Sequence, residues 1–79
     1  MATLMQAVEL LQVAELLRQR TRQFVCLYEE KGPNKQALQD FQDAVCAMES
    51  ARHLRKRSKI EQQVSRAADA LERAFARLA

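Results

Sequence analysis

Ser50 and His53 stand three residues apart, a spacing that lets a hydroxyl and an imidazole meet on one face of a helix. Nucleophilic catalysis asks for more: a third group to orient the imidazole, and a pocket to hold substrate. His53 reads instead as an exposed helical histidine among Arg and Lys. Glu29 and Glu30 are adjacent, so on a helix they project to different sides and suit a solvated face better than an acid/base pair. Cys26 and Cys46 have no neighbouring residues at zinc-ligand spacing. If the chain turns near Gly32–Pro33, the two thiols fall about seven residues out of step. At helical rise that is about 10 Å, farther than a disulfide spans. Both cysteines are expected to be small buried hydrophobes, as in a reducing compartment. With no glycine-rich phosphate loop either, the chain is expected to be no enzyme, with no catalytic, cofactor-binding or metal-binding residues.

The remaining chemistry is cationic. The formal net charge is +3, yet residues 1–51 carry five basic and seven acidic side chains, and residues 60–79 carry three of each. The excess is confined to Arg52-His53-Leu54-Arg55-Lys56-Arg57-Ser58-Lys59. Arg52, Arg55, Lys56 and Lys59 occupy i, i+3, i+4 and i+7, so a continuous helix would present them as one stripe able to meet an acidic protein or a phosphate. Cations near a helix C-terminus also complement its dipole with no partner at all. Nucleic acid is disfavoured, because neither a groove-reading motif nor stacking aromatics accompany the cluster.

The elements that carry these residues are helical. One Gly, one Pro, no Trp and abundant Ala, Leu, Gln, Glu and Arg favour helix, and no stretch alternates with period two. Thr3 and Gln6 have capping-box spacing at the start of a first helix expected at about residues 4–30. Its inner stripe reads Leu10, Val13/Ala14, Leu17, Thr21, Phe24 and Tyr28. Gly32 and Pro33 end it, giving a turn at 31–34. A second helix at about 35–56 should bury Leu38, Phe41, Ala44/Val45, Met48 and Ala51. Ser58 and Glu61 repeat the capping-box pattern before a third helix, about 59–78, with Ile60, Val64, Ala67/Ala68, Leu71, Phe75 and Leu78 inward. Between the second and third stripes the register slips by one residue, about 100°. That slip favours a kink around Arg57–Ser58 over one long helix. The expected fold is all-α, a single domain built as an antiparallel helical hairpin with an additional C-terminal helix.

The first helix carries an apolar excess. Between Leu4 and Leu17 ten of fourteen residues are apolar, while Gln6, Glu9, Gln12 and Glu15 wind around the cylinder in steps of three. Such a helix needs cover on more than one side. Leu4, Met5, Val8, Leu11 and Leu16 point away from the inner stripe and form the expected partner-binding face. A third helix of the same chain is the alternative cover. The stretch is too short for a membrane span and contains Glu9 and Glu15, and it lacks the basic flank of a signal peptide, so a cytosolic location without membrane insertion is expected. A chain of this size has a thin core, and self-association is one way to complete it.

From Lys31 to Ala51 the sequence resembles the turn and second helix of the small E-type co-chaperones of bacterial type III secretion needle subunits, the YscE/PscE type. The resemblance rests on Gly32, Lys35, Gln36, Gln39, Phe41, Gln42, Ala47, Met48, Glu49, Ser50 and Ala51, about a quarter of the chain. It implies a helical hairpin in the bacterial cytoplasm that pairs with a tetratricopeptide-like chaperone and helps keep the needle subunit soluble before export. Residues 59–79 extend past the hairpin expected of that family. A small dimeric helical regulator using the basic cluster at 52–59 on nucleic acid is the alternative.

Overall fold

The computed structural model describes residues 3–79, with side chains from Gln12 onward. Three helices run in sequence: α1 (Thr3–Lys31), α2 (Lys35–Arg52) and α3 (Arg57–Leu78). The fold is all-α, and no strand occurs among the described residues.

Local chemistry sets the first reversal. Gly32 takes φ +95°, a conformation costly for any residue with a Cβ, and its N–H donates to the Tyr28 carbonyl at 2.9 Å to close α1. Asn34 then caps α2: its side-chain oxygen accepts from the Ala37 N–H at 3.0 Å. The same side chain donates its amide to the Arg77 carbonyl at 3.2 Å, tying the turn to the last turn of α3. The third helix thus packs back in cis.

The closest packing joins α2 to α3, and small side chains are the reason. Ala37, Ala44 and Ala47 on α2 and Ala67, Ala70 and Ala74 on α3 are buried. Alanine lets two helix axes approach to the short end of the usual 8–10 Å range, roughly. Asp40 sits beside this seam, its side chain only 14% exposed, and meets Arg77 at 3.3 Å and Arg73 at 3.8 Å. Between α1 and α2 the contact is made by rings instead. Phe24, 1% exposed, stacks on Phe41 with centroids 4.6 Å apart and meets Phe75 edge-on at 5.6 Å. Rings keep the backbones apart, and among the described residues no Cα of α1 lies within 8 Å of one in α2. On the α3 side, Arg20 holds its guanidinium 4.0 Å above the Phe75 ring and meets Glu72 at 3.2 Å.

Several expectations need correction. Leu38 and Val45, the latter one of the pair Ala44/Val45, are exposed, because the most deeply buried positions of α2 are Ala37, Ala44 and Ala47, with Phe41 and Met48 packed beside them. Each exposed residue follows a buried alanine by one step, a turn of about 100° away from α3. Val13, one of the pair Val13/Ala14, is likewise 39% exposed, while Ala14 is half-buried. Cys26 and Cys46 are exposed free thiols, not buried hydrophobes. They lie two residues beyond Phe24 and Ala44, about 200° around the helix from the core. Helix α2 stops at Arg52 instead of 56, with the His53 N–H donating to the Ser50 carbonyl and the Leu54 N–H to the Ala51 carbonyl in a tightened last turn. Ser58 does not cap α3. The helix begins two residues earlier than expected, at Arg57, with Lys56 at the cap position and the Lys56 carbonyl accepting from the Ile60 N–H. Glu61 pairs with Arg57 at 2.7 Å.

Candidate partner-binding surface

The residues singled out for partner binding fall in two places. Leu16 projects from α1 with 59% of its surface exposed, and Val13, one turn before it, is 39% exposed. The periodicity explains why: Leu17 is turned into the core, so its neighbour Leu16 is rotated by about 100°. The side chains of Leu4, Met5, Val8 and Leu11 lie outside the described residues, as does that of Leu10.

The basic cluster is divided. Arg52 closes α2 and pairs with Glu49 at 3.3 Å, Arg55 and Lys56 belong to the connection, and Lys59 lies in the first turn of α3. All four are exposed. The break at 53–56 removes the helical periodicity that would have aligned them, so they do not form the single stripe a continuous helix would give. His53 caps α2, and its link to Ser50 is a backbone hydrogen bond of 3.2 Å.

A groove of about 610 Å³ opens between α1 and the second half of α2. Ala14, Leu17, Val45, Met48 and Val64 form its apolar lining. Its edges carry Arg18 and Arg22 from α1 and Glu49 and Arg52 from α2. Sequence reasoning missed this groove because it treated α1 and α2 as a closely packed pair. The available signal was size: large rings on the α1–α2 side and alanines on the α2–α3 side imply unequal spacing between the helices.

Among the described residues no helix is long and apolar enough to cross a membrane. No family model matches the chain, and no curated protein or solved structure matches it.

Proposed function

We propose that the chain is a non-enzymatic co-chaperone of bacterial type III secretion, pairing with a tetratricopeptide-like chaperone to keep a needle subunit soluble before export. The pattern from Lys31 to Ala51 supplies the family resemblance. The observation that carries the interaction reading is the exposure of Leu16 after all three helices have packed: α3 folds back in cis and still leaves this side chain 59% open to solvent. Covering the exposed part of Leu16 contributes about 1–2 kcal/mol before ordering costs, a driving force the chain leaves unused by itself. The regulator alternative is less favoured, since the connection at 53–56 divides the cations it would use.

The test is co-purification with the partner chaperone and needle subunit. Leu16→Asp places a charge where the apolar contact is required, while the exposed position leaves folding intact. Loss of the complex with an unchanged helical circular-dichroism signal is the expected result. Retention of both partners by the variant would remove this face from the account.

A further inference from the structure

We propose that the groove between α1 and α2 is a docking site for an amphipathic helix of a partner protein, one whose apolar stripe is flanked by carboxylates. The stretch from Ala14 to Arg22 on α1 and that from Val45 to Arg52 on α2 each rise about 10–12 Å, two helical turns. That length matches apolar anchors at i, i+3 or i+4 and i+7 of a docked helix. The lining is aliphatic plus one methionine, a side chain that adapts to the shape of an incoming residue. Both walls are helices whose backbone groups are paired internally, so an extended strand finds no edge to join, and recognition falls to side chains.

Charge selects the occupant. Among the described residues, three arginines border the groove against one carboxylate, that of Glu49. Arg22 has no ion pair among the described residues. Arg18 pairs with Glu15 at 3.1 Å and Arg52 with Glu49 at 3.3 Å, both pairs solvent-exposed and therefore weak enough to exchange for a partner's carboxylates. A nucleic acid would leave the aliphatic lining uncovered, and among the described residues no aromatic ring lines the groove for a base to stack on. The groove is a surface separate from Leu16, and its proposed occupant does not depend on the secretion reading.

The test is a methyl-NMR titration of the purified chain with a synthetic amphipathic helix of about 18 residues, leucines on one stripe and glutamates flanking it. The expected result is saturable movement of the Ala14, Val45, Met48 and Val64 methyls. A peptide with lysines replacing the glutamates should bind about tenfold more weakly, and so should the glutamate peptide to Arg22→Glu or Val45→Glu. Both substituted positions are solvent-exposed, and a preserved spectrum confirms folding. Absence of shifts up to about 1 mM peptide would overturn the proposal, as would equal binding of the lysine peptide. Movement of the same methyls on simple concentration of the free chain, or on addition of duplex DNA in place of peptide, would assign the groove to another occupant. Since no chaperone or needle subunit is present, a negative titration leaves the Leu16 experiment informative, and the converse holds.

Discussion

Replacing Ala44 with leucine probes the alanine seam at one of its fully buried positions. Ala44 is 0% exposed, and buried alanines recur on both helices that form the seam. Three added carbons have no free volume to occupy, so α2 and α3 must separate or the side chain must leave its rotamer, at a cost of about 2–3 kcal/mol. A 79-residue chain has a total stability of about 4–12 kcal/mol. The variant should still fold, with a melting temperature lowered by about 10–20 °C. Val45→Ala is the matched control: it removes two methyl groups from a side chain already 36% exposed and should cost less than about 1 kcal/mol. Thermal and urea unfolding followed by circular dichroism measure both. A leucine variant melting within about 2 °C of the parent would refute the seam, and so would a larger loss from Val45→Ala.

Phe24→Ala removes the one ring that meets Tyr28, Phe41 and Phe75, and should cost about 3–5 kcal/mol by urea unfolding. Asn34→Ala deletes both the cap on α2 and the hydrogen bond to the Arg77 carbonyl, for a loss of about 1–2 kcal/mol in the same assay. Asp40→Asn leaves Arg73 and Arg77 without their carboxylate; the destabilisation should be about 0.5–1 kcal/mol at low salt and shrink as salt is added. Cys26 and Cys46 should both react with a thiol reagent in the folded protein without prior unfolding, at rates near that of a free thiol. Protection of either would contradict their exposure.

The helices themselves were legible, for local reasons. Gly32 and Asn34 carry the signals that stop one helix and start the next, and both act through geometry within a few residues. A break before α3 was also readable, as a one-residue slip between apolar stripes, but it lies at 53–56, and Arg57 and Ser58, where it was expected, are in the first turn of α3. The inward face of α2 was legible in part: Phe41, Ala44 and Met48 lie in or against the core, whereas Leu38 and Val45, larger than the neighbouring Ala37 and Ala44, attract a reading based on hydrophobicity and are exposed. Burial there follows the fit to α3, and fit rewards the smaller side chain. The cysteines were misread in the same way, as apolar residues expected inside, though their angular distance from Phe24 and Ala44 places them outside. The groove was beyond local reasoning altogether. It depends on how far apart the Phe24–Phe41 stack holds two helices, which is a property of the assembled fold.

We propose that this chain works by holding other proteins. Affinity purification from its native cell, washed at moderate and at high salt and analysed by mass spectrometry, tests that most directly. The expected result is a helical-repeat chaperone and a small needle-like protein that survive the high-salt wash with the parent chain and are lost with Leu16→Asp. Nucleic acid retained only at moderate salt, with no protein partner at either, would contradict it.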